Sequence, residues 1–361
     1  MKSKLLKIVE PIVTVYATYA NVNSIVRQYE AGNQWFLQKY FHQLYIYAPK
    51  NNVLAVEFVN LEKTKFAHKY HTKFFNIHCP ALKVFSIPSY TVSENNIDII
   101  EVIKFFIEHD SYVQLYVNRN YLSNHIDGHE SHSAFIYGYD DKKEIVYASD
   151  FFMGNAYQIN GSFQYNELRK AFLNAKIEYI QDEGIYAEYD RHDEICIIQY
   201  NPYFSHEFSV SQFAEDIMYY LNYKKLALNY KPIFKEMKKD EQFVFGYGVE
   251  GYELFQKNVK TAIQEKMPID YRPICNLRDH KTVLKMKIEY LTTKEILVSN
   301  EYMSNAVDIA TDANILLNLI LKYNMRIRRG YAPFPGEISY YIDKIEKKEK
   351  YLLDNVLKVI G

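Results

Sequence analysis

Residues His132 to Asp150 constrain the fold of this chain more than any other stretch. His132-Ser133-Ala134-Phe135-Ile136-Tyr137-Gly138-Tyr139 is a β-rich apolar run opened by a histidine. Gly138 and the Asp140-Asp141-Lys142-Lys143 cluster make the turn, and Glu144-Ile145-Val146-Tyr147-Ala148-Ser149-Asp150 returns as a second strand ending on an acid. The pattern predicts a hairpin. The turn lies near its middle, so His132 and Asp150 fall at the same open end. A carboxylate so placed can orient an imidazole for general-base work. The plainer alternative is an exposed strand-start histidine and an acid that caps the next turn.

A chain of 361 residues, 48% of them apolar, exceeds one small core and predicts two domains. Its net charge of −1 argues against a nucleic-acid partner, which usually selects a basic excess. Cys79, Cys196 and Cys275 are scattered, with no Cys-x-x-Cys pair, so neither a disulfide framework nor a cysteine zinc site is expected, and a reducing cytoplasm fits. The first ten residues carry lysines but no sustained apolar core, so no signal peptide is expected. No run of about 18 apolar residues predicts a membrane span. The 35 tyrosines reflect either coding bias or a tyrosine-lined cleft.

Apolar spacing predicts a helix over about 19–30, a segment of undecided type over 35–47, a strand at 53–59 and a helix at 97–106 carrying Ile97, Ile100, Ile103 and Phe106. Tyr112–Val117 should pair with the His132 hairpin, and Glu194–Tyr200 reads as a further strand. Asn201-Pro202 marks a boundary. Beyond it the pattern is helical: a helix capped by Ser209 or Ser211, then stripes through Val283–Leu291, Val307–Ile320 and Ile338–Val356. The expectation is an α+β domain with an antiparallel sheet over 1–200, followed by an all-helical domain over 202–361.

The hairpin, with the step from Ile159-Asn160-Gly161-Ser162-Phe163-Gln164 into Tyr165-Asn166-Glu167-Leu168, resembles the papain-like C39 peptidases. It is closer still to the butirosin biosynthesis protein H N-terminal family, which shares the histidine, the strand ending Gly-Tyr-Asp, the short turn and the strand ending in an acid. The resemblance covers roughly residues 10–200, with a weaker echo around Ile269-Asp270-Tyr271-Arg272-Pro273 and His280-Lys281. It implies a papain-like fold and an accessory role in peptide or aminoglycoside natural-product biosynthesis. It implies acyl transfer from an acyl or peptidyl carrier protein to a small amine, or related amide chemistry, with His132 as base and Asp150 as its orienter. No cofactor, nucleic acid or membrane is implied. The alternative is a pseudoenzyme that binds a carrier protein or peptide as a scaffold.

The chain departs from the family at the nucleophile. Relatives carry Cys-Tyr-x-Asn at the start of a central helix, where this chain has Thr18-Tyr19-Ala20-Asn21. Thr18 thus occupies the cysteine slot, and Asn21 and His129 are the implied substrate-binding positions. Thr18 suits an N-cap, a substrate-contacting hydroxyl, or, less well, an internal nucleophile, since threonine nucleophiles are typically chain-terminal. Ser24 would replace it only in another register. Cys79, beside His78 and near His71, is either a relocated nucleophile or a packed inert thiol. His125, Asp127, His129 and His132 have metal-ligand chemistry but bracket Gly128 on no common face, so a polar loop is the better reading and no metal is expected. Arg272, Asp279, His280 and Lys281 read as a solvated or inter-domain face, and Gly246-Tyr247-Gly248 lacks the residues of a phosphate loop.

Overall fold

The computed structural model describes residues 2–59, 79–123, 131–151, 157–175, 194–222, 243–331 and 335–361. The chain divides into two compact units: Met1–Asn33 with Thr72–His206, and Gln34–His71 with Glu207–Gly361.

In chain order the strands are β1 (Ser3–Leu5), β2 (Gln43–Ala48), β3 (Val53–Phe58), β4 (Leu82–Pro88), β5 (Tyr112–Asn118), β6 (Ser131–Asp140), β7 (Ile145–Asp150), β8 (Gln158–Gln164), β9 (Glu194–Tyr200) and β10 (Val244–Tyr247). The helices are α1 (Ala17–Val26), α2 (Glu30–Lys39), α3 (Ile99–Glu108), α4 (Tyr165–Leu173), α5 (Val210–Leu221), α6 (Gly251–Gln264), α7 (Arg272–Thr293), α8 (Asn300–Arg328) and α9 (Pro335–Ile360), beside a single helical turn at Ser89–Ser93. The protein is α+β with antiparallel sheets and a helical C-terminal part.

The first unit is built on a sheet ordered β4-β9-β5-β6-β7-β8, every neighbouring pair antiparallel. β5 pairs with β6 from Ser131 to Ile136, and β1 takes over the same edge from Gly138 to Asp140. The register shifts between Ile136 and Gly138, and a Cβ at Gly138 would stand 2.8 Å from the Lys4 carbonyl oxygen. Glycine there is what lets β1 approach. α1 is buried from Tyr19 to Val26. Asn23 ties it down: its Oδ1 accepts from Ile12 N at 2.8 Å and its Nδ2 donates to the Val13 carbonyl at 3.0 Å. The predicted 19–30 helix starts earlier, at Ala17, and stops at Val26, with a turn at 27–29 before α2.

α3 buries Ile99, Ile100, Ile103 and Ile107, while Ile97 lies exposed before it. Asp98 caps this helix, accepting from Ile100 N at 3.1 Å, and clamps Arg169 of α4 at 2.7 and 2.9 Å.

In the second unit β10, β2 and β3 form an antiparallel three-stranded sheet. This corrects the all-helical expectation for the C-terminal domain. β10 is only four residues long, and its ladder partner Leu44–Tyr47 lies about 200 residues earlier, so no local pattern announces it. The same pairing explains the undecided 35–47 segment, which spans the end of α2 and the start of β2. It also places 34–71 with the second unit, where a single cut at 201 would put them in the first. Gly248 has φ +54°, and a Cβ on it would meet the Tyr220 carbonyl oxygen at 2.2 Å. Gly248 therefore serves chain packing.

Ser209 is the residue that caps α5, accepting from Gln212 N at 3.2 Å. The buried stripe of α8 runs through Ala306, Ile309, Ala313, Leu316 and Ile320, leaving Val307 exposed. No helix among the described residues is long and apolar enough to cross a membrane.

Candidate functional site

β6 and β7 set the geometry. Phe135 lies opposite Ser149, so extending the register by one places Asp150 opposite Ala134. Alternation puts Ala134 and His132 on one face with Asp150. The small side chain of Ala134 lets the imidazole and the carboxylate meet diagonally. His132 Nδ1 lies 2.6 Å from Asp150 Oδ2. The Asp150 side chain is 2% exposed and that of His132 28%. With Nδ1–H donating to the carboxylate, Nε2 carries the free lone pair. No described residue hydrogen-bonds Nε2.

Arg119 was not anticipated. It stands in the helical turn Arg119–Tyr121 directly after β5 and is buried. Asn118 holds that turn, its Oδ1 accepting from Asn120 N at 3.0 Å and its Nδ2 donating to the Asn174 carbonyl at 3.1 Å. Arg119 Nη2 then donates to Asp150 Oδ2 at 3.3 Å. One carboxylate oxygen serves both the imidazole and the guanidinium, while the other, Oδ1, is buried with no hydrogen-bond partner among the described residues. The signal for Arg119 was present: β5 pairs with β6, with Val117 opposite His132, so the residues just past Asn118 lie at the histidine's end of the sheet.

A second string of contacts links this corner to α1. The Tyr157 hydroxyl donates to Asn21 Oδ1, and Asn21 Nδ2 donates to Gln114 Oε1 at 3.1 Å. The Tyr157 ring packs edge-on against Phe151 at 5.5 Å, and Phe151 in turn against the His132 ring at 6.1 Å. Burial, and then the Asp150 charge, hold the Tyr157 phenol protonated well above its usual range. Asn21 is thus buried and fully engaged in holding α1 to the sheet.

Thr18 is not the cap of α1. Tyr16 is the N-cap, without a side-chain cap bond, and Thr18 is the second helical residue, half-buried. The reason is that the chain is still extended at Tyr16 and turns helical at Ala17, so the first-turn amides lie two residues earlier than a Thr18 cap needs. Ser24 is committed inside the helix, its Oγ donating to the Asn21 carbonyl at 2.9 Å. His129, with His125 and Asp127, lies outside the described residues. Among those described, no group of three or more His, Cys, Asp or Glu is disposed to hold a metal ion. Cys79 is buried, and burial pushes its thiol up to about 12.

The second unit holds another polar cluster. Asp279, His280 and Lys281, read as a solvated or inter-domain face, are buried, because α7 carries them on its packed side. Lys281 Nζ meets Glu349 Oε1 of α9 at 2.5 Å with neither side chain exposed. Tyr252 donates to the other Glu349 oxygen at 2.7 Å. Nearby, His42 Nε2 lies 3.0 Å from Asp216 Oδ1, and the Tyr247 hydroxyl engages His42 Nδ1. Glu349 had a legible signal: Ile338, Ile342, Ile345, Glu349, Leu352 and Val356 share one helical stripe, with an acid at a core position. Arg272 alone of the predicted polar set is exposed, paired with Asp270 at 2.5 Å.

No protein-family model matches the chain, and no curated protein matches its sequence.

Proposed function

We propose that the first unit is a papain-like domain that transfers an acyl group from a carrier-protein thioester to a small amine, in the cytoplasm, as part of peptide or aminoglycoside assembly. The observation that carries this reading is the His132–Asp150 pair, 2.6 Å apart, with Nε2 unpartnered among the described residues. Its second support is the resemblance of the hairpin to the butirosin biosynthesis protein H N-terminal family.

Without a cysteine, the amine attacks the thioester carbonyl directly. His132 Nε2 takes the amine proton as the C–N bond forms, the C–S bond breaks, and the carrier thiolate leaves and accepts that proton. Asp150 steadies the imidazolium at its Nδ1–H. Losing the covalent intermediate is costly, since removing a nucleophile from such a triad lowers turnover on the order of 10⁶-fold. That cost, together with Thr18 in the cysteine slot, favours a second reading in which the domain binds a carrier protein or peptide without turning it over.

The test is to incubate the full chain with acyl-loaded carrier proteins and a panel of amines and follow amide formation by mass spectrometry. Product that disappears in His132→Ala supports transfer. Product formed equally by His132→Ala overturns it, and carrier binding by calorimetry without product selects the scaffold reading.

A further inference from the structure

Lys281 and Lys287 stand on the same helix, α7, and neither has exposed surface. Their surroundings differ. The Lys281 ammonium has three acceptors: Glu349 Oε1 at 2.5 Å, His280 Nδ1 at 2.9 Å and the Tyr220 hydroxyl at 3.4 Å. His280 can accept because its Nε2 donates to the Phe41 carbonyl at 2.6 Å. Each N–H of Lys281 is therefore met, and one contact is a counter-charge.

Among the described residues Lys287 has a single acceptor, the Gln38 carbonyl, at 3.5 Å. Otherwise its Nζ faces aromatic rings: Phe41 at 4.8 Å, Phe213 at 4.9 Å and Phe208 at 5.9 Å from their centroids. Ring faces compensate a cation in part. They do not replace three hydrogen bonds in a dry site. Asp216 of α5 is an acid whose charge acts on the amine, but its carboxylate is already engaged by His42 at 3.0 Å, Gln212 at 3.1 Å and Gln38 at 3.3 Å. Lys39 at the end of α2 and His280 on α7 itself also face the amine, Lys39 opposing its charge. Burial favours the neutral form, against the attraction of Asp216, which outweighs the Lys39 repulsion.

We propose that Lys287 is a proton switch in the second unit. As a neutral amine it lets α7 seat against Gln38 and the three phenylalanines, and on taking up a proton it loosens that packing. The direction of the effect follows from burial, which lowers this amine to about 7, whereas an unfolded lysine keeps its proton to about 10.4. Between those values the unfolded chain binds the extra proton, so stability rises with pH across that window. Below it both states are protonated and the cost of the buried charge is fully present. Near neutrality the switch acts within the folded protein.

The experiment uses the full chain with ¹³C-labelled lysine side chains. We expect one Cε resonance to titrate near neutral pH and to vanish in Lys287→Met. All lysines titrating above pH 9 would overturn the proposal. A second measurement follows amide exchange, corrected for intrinsic rates, at pH 6 and pH 8. Protection in 210–221 and 284–291 should rise at least tenfold at the higher pH in the native protein. Lys287→Met should be protected at both values, and Lys287→Arg, which stays charged, should be open at both. An equal pH response in all three proteins would also overturn it. If Lys287→Met does not fold, the native titration and Lys287→Arg still decide.

Discussion

Arg119 Nη2 lies 3.3 Å from Asp150 Oδ2, the same oxygen that accepts from His132. The acid of the dyad is thus held between the imidazole and the guanidinium, and its other oxygen has no partner among the described residues. Removing the arginine leaves a buried carboxylate with the imidazole alone. We expect Arg119→Met to cost about 3 kcal/mol, since breaking a buried pair strands its partner. The double variant Arg119→Met/Asp150→Leu should recover part of that loss. Denaturant unfolding of the four proteins measures it, and additive losses would show that the contact contributes nothing.

Thr18→Cys restores a thiol to the start of α1. A thiol in the first turn of a helix ionises more readily than free cysteine, whose pKa is about 8.5. We expect selective alkylation by iodoacetamide near neutral pH, falling when His132 is also changed to alanine. A thiol that is inert, or that reacts identically with and without His132, would separate Thr18 from the dyad and remove the papain-like reading.

Cys79 gives the opposite expectation. With its thiol raised to about 12, the thiolate fraction near neutrality is lower than that of free cysteine by on the order of 10³. Peptide mapping after alkylation of the native protein should find Cys79 unmodified while any transfer activity persists. Rapid labelling that abolishes activity would make it the nucleophile.

Lys281 and Glu349 form an ion pair with no exposed surface. Either Lys281→Met or Glu349→Gln alone should cost about 3–5 kcal/mol, whereas Lys281→Met/Glu349→Leu should cost far less than the sum. Chemical denaturation of the single and double variants reads this directly, and full additivity would contradict the pairing.

Asp98 caps α3 and clamps Arg169, whose hydrogen bonds hold the carboxyl below its usual range. A carboxyl with a lowered folded pKa contributes its stability above the unfolded value of about 3.9 and loses it as the pH falls through the folded value. We expect Asp98→Ala to cost about 0.5–2 kcal/mol at neutral pH and to flatten the acid limb of the stability curve below pH 4. An unchanged acid limb would assign the loss to the cap alone.

Local pattern was enough for the hairpin. An apolar run opened by a histidine, a turn cluster and an acid at the second strand's end brought His132 and Asp150 to one end, because antiparallel register is set by where the turn falls. The same holds for the α9 stripe, where helical period alone selects Ile338, Ile342, Ile345, Leu352 and Val356. Asn21 was named as a substrate contact, and its position in α1 was legible, but its commitment to Tyr157 and Gln114 was not. What the sequence by itself determined is therefore the hairpin, the periodic faces of the long helices and the absence of a cysteine at the start of α1.

Only the tertiary structure decided the rest. β10 is a strand because Leu44–Tyr47 supplies its ladder, a pairing across about 200 residues that no window contains. Arg119 joins the dyad because β5 and β6 end together. Lys281 and Lys287 look alike in sequence, both lysines on one helix, yet one meets Glu349 from α9 and the other meets aromatic faces and one carbonyl. The cost of burying a charge depends on what arrives opposite it from distant segments, and that is fixed only when the helices pack.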